Sequence, residues 1–230
     1  MKLGGLQKMT LLDFPGKVAC TVFTVGCNFR CPFCHNSSLV LPQAAPELDQ
    51  AAFFSFLNKR QGLLDGVAIT GGEPLLHPDM PAFLERIRSL GFAVKLDTNG
   101  AFPDRLRTVL EAGLVDYVAM DIKNSPEKYE QTAGVAGILP RVEQSAALLL
   151  AGKTPFEFRT TLVDELHAPA DFTAIGQWIA GTEHYFIQGF VDSGDILGGA
   201  QFRAASPEKA RACLEAVRPF VPDAQLRGVS

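Results

Sequence analysis

The sequence predicts an α/β protein: an incomplete (β/α)6 TIM-like partial barrel of parallel strands, with an N-terminal turn or hairpin and a closing C-terminal helix. Three observations predict it. Short β-rich runs alternate with apolar helical patterns along the chain. The helical patterns end near Gly62, Gly91, Gly113, Gly152 and Gly181, where a left-handed residue can close a helix. The alternation yields six units, too few for a full eight-fold barrel and too many for most nucleotide half-folds. Such alternation means parallel strands joined by right-handed crossovers, and six units leave an open side that suits a bulky partner.

Taken in order, Leu12 to Lys17 reads as a turn, with Pro15 then Gly16 in the type II order. The strand candidates are Val18–Thr24, Val67–Thr70, Ala93–Asp97, Tyr117–Ile122, Phe156–Leu162 and Tyr185–Gln188. Between them, a helix from Asp49 to Gln61 has an acidic start, and one from Met80 to Leu90 is capped by Asp79 with Phe83, Ile87 and Leu90 on one face. Further helices cover Pro103–Ala112, Pro140–Ala151 and Ala170–Ala180, and a last one, Pro207–Val217, closes the domain. Pro103 and Pro207 suit first-turn positions. The whole chain, 1–230, reads as a single domain, with a core barrel over 17–200 and a C-terminal helix and loosely held tail over 201–230.

Composition narrows the class. A hydrophobic share of 47%, a charged share of 20% and a net charge of −4 describe an ordinary globular chain. With a pI near 5.6 and no basic run, nucleic acid and anionic membranes are poor partners. No stretch approaches a membrane span, and Met1 to Thr10 lacks the apolar core of a signal peptide. Five cysteines, three of them clustered, fit a reducing compartment with a metal centre, so a cytoplasmic location is expected.

Those three are Cys27, Cys31 and Cys34, within the run Gly26 to Asn36. Clusters held wholly by protein use four thiolates, and no fourth lies in reach here. Three ligands on a cubane of four irons leave one iron open to an outside molecule. Two rivals stand beside this reading. A structural zinc site wants four ligands in a closed tetrahedron, and His35, directly after Cys34, points away from it. A redox pair of Cys31 and Cys34 leaves Cys27 unexplained. Cys20 and Cys213 lie inside a strand and a helix and read as buried apolar thiols.

In parallel barrels chemistry gathers where strands end at their C-terminal side. The second strand is followed by Gly71-Gly72-Glu73-Pro74, whose paired glycines let backbone approach a ligand closely, or simply make a turn. The third is followed by Asp97-Thr98-Asn99-Gly100, the fourth ends in Ala119 through Lys123, the fifth carries Arg159, and the sixth ends in Gln188-Gly189. Asp121 and Lys123, two apart, face one side. Each has a plain structural reading alone; their coincidence suggests a zwitterionic ligand, its ammonium met by carboxylates and its carboxylate by Lys123 or Arg159. Asp192 to Gly199 reads as a surface loop or a partner-contacting one, and His35 as a possible hydrogen-bonding neighbour of the cluster.

The three-cysteine loop, Gly71 to Pro74 and the later strand ends resemble the radical S-adenosylmethionine (SAM) superfamily over nearly the whole chain. Asp13 to Asn36, Asp97 to Gly100 and Asp121 to Lys123 are similar to the activating enzymes of glycyl radical proteins. Gly4 to Lys8 and Gln188 to Gly194 are most similar to the anaerobic ribonucleoside-triphosphate reductase activating proteins. The resemblance implies a 4Fe–4S cluster on Cys27, Cys31 and Cys34 that reductively cleaves SAM to a 5′-deoxyadenosyl radical, which takes hydrogen from a glycine of a partner glycyl radical enzyme. It implies that Phe33 lies against adenine. Gly71, Gly72, Glu73 and Pro74 lie along the methionine amino group, with Asp97 and Asp121 nearby. Lys123 and Arg159 meet the carboxylate, and Asn99 and Gln188 meet ribose or adenine. One such activating enzyme carries a monovalent cation, whose ligands match Asp97, Thr98, Ala119 and Asp121. A flavodoxin- or ferredoxin-type donor would supply the electron. Two alternatives remain: a radical SAM enzyme acting on a small molecule, such as a 7-carboxy-7-deazaguanine synthase, or a non-catalytic zinc-binding module.

Overall fold

The computed structural model describes residues 1–40, 48–192, 194, 196–199 and 201–229. Its eight strands lie in one mostly parallel sheet in sequence order: β1 (Leu3–Thr10), β2 (Ala19–Thr24), β3 (Gly66–Gly71), β4 (Ala93–Thr98), β5 (Tyr117–Asp121), β6 (Phe156–Leu162), β7 (Tyr185–Gly189) and β8 (Gln225–Arg227). Strands β2 to β7 are the six expected ones, each within two residues of its expected bounds. Among the described residues no helix is long and apolar enough to cross a membrane. Two compact units are distinguishable, and the division falls inside β5.

In the first unit β1 pairs antiparallel with β2, and β2, β3 and β4 run parallel. The N-terminal segment is therefore a hairpin, turned at Phe14–Lys17 by a 3.1 Å bond from Lys17 N–H to the Phe14 carbonyl, with Gly16 at φ +69°. Strand β1 was not expected from its composition: LGGLQKMT is poor in β-formers and holds its place as an edge strand. Two helices of this unit show how their ends are fixed. In α2 (Gln50–Asn58), following the short α1 (Ser37–Val40), Asp49 caps the first turn by accepting from Ala52 N–H at 3.2 Å. In α3 (Met80–Ser89), Met80, Phe83, Leu84 and Ile87 are buried. Asp79 does not cap it; its carboxylate binds the N-terminal ammonium of Met1 at 2.7 Å. Phe53 and Phe83 stack with ring centres 5.5 Å apart, and Phe54 meets both edge-on.

The second unit contains α5 (Tyr129–Ala133), α6 (Leu139–Ala151), α7 (Pro169–Trp178) and α8 (Pro207–Val217); α4 (Pro103–Glu111) belongs to the first. Here β6, β7 and β8 run parallel. Ser206 caps α8 by accepting from Lys209 N–H at 3.2 Å. Gly152 ends α6 with extended backbone, not the left-handed turn expected of it, whereas Gly62, Gly91, Gly113 and Gly181 do adopt positive φ. The tail is not loosely held. Val221 and Ala224 are buried, and β8 adds a ladder to β7. Arg227 lies 3.6 Å over the Phe186 ring and 3.3 Å from the Glu157 carboxylate.

Candidate active site

In the first unit, β2 runs into Gly26 and Cys27, and β3 runs into Gly71 to Pro74. These two exits lie backbone against backbone. Gly72 N–H donates to the Thr24 carbonyl at 2.9 Å, and Glu73 N–H donates to the Gly26 carbonyl at 2.8 Å. A Cβ on Gly72 would sit 2.0 Å from the Gly26 oxygen, and Gly71 has φ +115°. The paired glycines thus hold the cysteine loop against the end of β3.

Glu73 is fully buried. One carboxylate oxygen accepts from Leu75 N–H and the Thr98 hydroxyl, each at 2.9 Å, and the other from Asn99 N–H at 2.7 Å. Its carboxylate therefore braces the end of β4 and the Pro74–Leu76 turn, and the chain itself uses the oxygens that a ligand ammonium was expected to meet. Asn99 turns toward the cysteine loop: its amide N–H group donates to the Asn28 side chain at 3.0 Å and to the Cys27 sulfur at 3.8 Å. Its carbonyl oxygen accepts from Ala101 N–H at 2.9 Å. Asp97, one residue before Thr98, forms an ion pair with Lys95. Ala119 is buried in β5.

In the second unit the loop from Phe29 to Ser37 is pinned from two directions. Arg30 N–H donates to the Ala133 carbonyl at 2.9 Å, and Gly134, at φ +68°, passes so close that a Cβ would lie 2.5 Å from the Arg30 oxygen. Leu197 and Gly198 N–H groups donate to the Cys34 and Pro32 carbonyls at 3.1 and 2.7 Å. Part of the 192–199 segment is therefore a brace for the cysteine loop. No sequence signal beyond Gly198 marked it, and Ser193 and Asp195 lie outside the described residues. Within the loop, Cys34 N–H closes a turn onto the Cys31 carbonyl at 3.1 Å. Phe33 is buried.

The second unit also holds a charge cluster. Asp121 binds the Lys123 ammonium at 2.9 Å and the Arg159 guanidinium at 3.0 Å, and Arg159 also lies 4.0 Å from Glu157. Burial pushes the Asp121 carboxyl up, but the two cations more than reverse this and hold it well below the usual carboxylate range. Burial opposes the Lys123 charge, yet the Asp121 carboxylate and the Cys31 sulfur raise its pKa above that of a free lysine. Both are fixed charges at neutral pH. The His167 ring, buried, bonds the Lys123 backbone carbonyl at 2.9 Å. Burial, then the Lys123 ammonium, lowers the His35 pKa, which favours the neutral imidazole. Gln188 is half-buried near the end of β7, paired in register with Thr161 and Arg227.

The remaining thiols behave differently. Burial pushes Cys20 up to about 12 and Cys213 up to about 11, which keeps both protonated and unsuited to ligate iron. Among the described residues no group of three His, Cys, Asp or Glu side chains is arranged to hold a single metal ion.

Comparison with known proteins bears on the family and the fold. A Methanocaldococcus jannaschii protein provisionally named as a glycyl-radical enzyme activating enzyme is 29% identical over 195 residues, covering 82% of this chain and 79% of its own length. A 7-carboxy-7-deazaguanine synthase from Methanopyrus kandleri is 31% identical over 130 residues, covering 48% of this chain and 51% of that one. The structure of Streptococcus suis SuiB bound to S-adenosylmethionine superposes with a TM-score of 0.68 at 11% identity, over 90% of this chain and 49% of that one, and shows a shared fold. The model of the radical SAM superfamily matches residues 21–156, from β2 with its three-cysteine exit to the start of β6, and the chain belongs to that superfamily.

Proposed function

We propose that this chain is a glycyl-radical-enzyme activase that acts as one radical SAM domain over residues 1–230. The observation that carries the proposal is the Methanocaldococcus jannaschii relative, whose similarity extends well beyond the segment that the family model matches. The residues present fit a 4Fe–4S cluster with SAM at its open iron. Three thiols lie within eight residues, the Lys123 cation favours a thiolate at Cys31, and the Asn99 amide donates to Cys27. When bound and reduced, such a cluster supplies the electron that cleaves SAM to methionine and the 5′-deoxyadenosyl radical.

The chain's share is binding and orientation. In this reading Cys27, Cys31 and Cys34 hold the cluster. Lys123 and Arg159 offer permanent positive charge to the methionine carboxylate, with Asp121 fixing their positions. Asp97 and the Gly71–Gly72 backbone serve the amino group, Phe33 the adenine, and Asn99 and Gln188 the ribose edge. Glu73 acts indirectly, by holding Thr98 and Asn99 where they stand. Asp97 and Asp121 each bring a cation from the chain itself, so this reading assigns no added monovalent ion to Asp97, Thr98, Ala119 and Asp121. The partner is a glycyl radical enzyme, of which anaerobic ribonucleotide reductase fits best, with a flavodoxin- or ferredoxin-type donor in a reducing cytoplasm.

The test is to reduce the cluster-loaded protein with SAM in the presence of candidate glycyl radical enzymes. A glycyl radical doublet in the electron paramagnetic resonance spectrum is expected with one of them. SAM cleavage without any such radical, together with formation of a 7-carboxy-7-deazaguanine product from a small molecule, would favour the second reading, to which the deazaguanine synthase similarity over 48% of the chain points.

A further inference from the structure

Strand β4 carries a lysine where a strand interior wants an apolar side chain. Lys95 is 2% exposed, among the largest fully buried side chains of the protein. It stands two residues before Asp97, so both side chains lie on one face of the strand, with Val94 and Leu96 on the other. Its register neighbour on β3 is Ala68, beside Thr21 on β2, a row of small side chains that leaves space for a long stem. From mid-strand, that stem carries the ammonium up to the Asp97 carboxylate at the strand end.

Packing does not explain this choice. Burying an ammonium carries a desolvation penalty of several kcal/mol, and apolar residues of similar volume often replace buried ion pairs without loss of stability. A carboxylate at the strand end, by contrast, gains from a cation that cannot diffuse away. We propose that Lys95 is a positioning residue for SAM binding: its ammonium is the built-in counter-cation of Asp97, which fixes that carboxylate in place and removes any need for an added metal ion there. The inference rests on the functional reading above, and its test separates the two.

Cluster-loaded wild type, Lys95→Ala and Lys95→Met are compared by SAM equilibrium dialysis under anaerobic conditions, in a buffer whose only cation is tetramethylammonium. Wild-type affinity is expected to be independent of added potassium, sodium or ethylammonium. Both variants are expected to keep the iron content of wild type and to bind SAM at least about tenfold more weakly. In Lys95→Ala, ethylammonium, one carbon shorter than the deleted three-carbon ammonium and so able to enter the space it leaves beside the Ala methyl, is expected to restore affinity. In an Asp97→Asn background Lys95→Met is expected to change affinity less than twofold. Unaltered affinity in both variants, the same fold loss in both backgrounds, or a wild type that tightens with added potassium would overturn the inference. A wild type that loads a cluster yet binds no SAM would sink the functional reading. Thermal unfolding of the cluster-free proteins then still decides on Lys95: ethylammonium should raise the melting temperature of Lys95→Ala and leave wild type unmoved. A rise in neither or in both would refute the proposal.

Discussion

Gly72→Ala is the sharpest perturbation the geometry offers. The added Cβ would sit 2.0 Å from the Gly26 carbonyl oxygen and 2.6 Å from its carbon, against an ordinary contact of about 3.4 Å or more. Both neighbours are backbone, so no rotamer change relieves the clash, and the two exits must part by roughly 1 Å. That movement would strain the 2.9 Å bond from Gly72 to Thr24 and the 2.8 Å bond from Glu73 to Gly26. Overpacking of this kind costs about 1–3 kcal/mol, or roughly 2–12 °C of melting temperature for a chain of this size. The functional effect should be larger in proportion, because a displacement of about 1 Å in a binding constellation can cost a hundredfold. Gly113→Ala is the matched control. Gly113 has φ +63° and open space around its missing Cβ, so the change costs about 1 kcal/mol and does not touch the cysteine loop. The assay is iron content, SAM affinity and thermal unfolding of the three proteins side by side. If Gly72→Ala loads its cluster, binds SAM and melts as Gly113→Ala does, the close approach of the two exits is irrelevant to the site.

Cys31→Ala should abolish SAM cleavage, whereas Cys20→Ala should keep iron content and activity while costing about 1–2 kcal/mol in urea unfolding; cluster loss in Cys20→Ala would mean that the ligands are misassigned. Glu73→Gln puts an amide N–H group against Asn99 N–H or the Leu75 and Thr98 donors, and should destabilise the protein by about 1–3 kcal/mol in urea titration. The depressed Asp121 pKa gives a signed pH prediction. Its contribution to stability is present above the unfolded value near 4 and is lost as pH falls through the lower folded value. Asp121→Asn should therefore unfold about 1–2 kcal/mol more easily at pH 7, a figure reduced for the carboxylate's exposed share. The gap to wild type should narrow below about pH 4; a gap that is constant from pH 7 to pH 3 would show that the charge is not responsible. Lys123→Ala should weaken SAM binding with the iron content intact.

The six central strands were legible because each is a short β-rich run between a helix end and a polar or glycine-rich exit, and the exits carry the candidate residues. The outer strands were not. Strand β1 contains two glycines, and β8 has three residues, so each depends on a neighbour's ladder rather than its own composition. Asp79 shows a different limit. An acidic residue before a helix reads as a cap, but the N-terminal ammonium, 78 positions away in sequence, takes its carboxylate. Glu73 stands out by its motif, yet its burial and two of its three donors, Thr98 and Asn99, depend on β4 lying beside β3. A lysine within a strand, such as Lys95, reads as a solvent-facing position, so its burial leaves no mark in the sequence. Leu197 and Gly198 were hidden for a related reason, since main-chain donors leave no residue-type signature.

The C-terminal segment is wired into the carboxylate chemistry of the second unit. Glu157, 2% exposed, lies 4.0 Å from Arg159 on its own strand and 3.3 Å from Arg227 on β8. Two guanidinium groups thus compete for one acid, and Arg227 holds the shorter distance. Trimming the chain back to Ala224 would end that rivalry and let Glu157 draw Arg159 away from Asp121. Preparations that differ at this terminus should therefore differ in how firmly Arg159 is held to Asp121, though the altered residues lie far along the sequence from every cysteine of the loop.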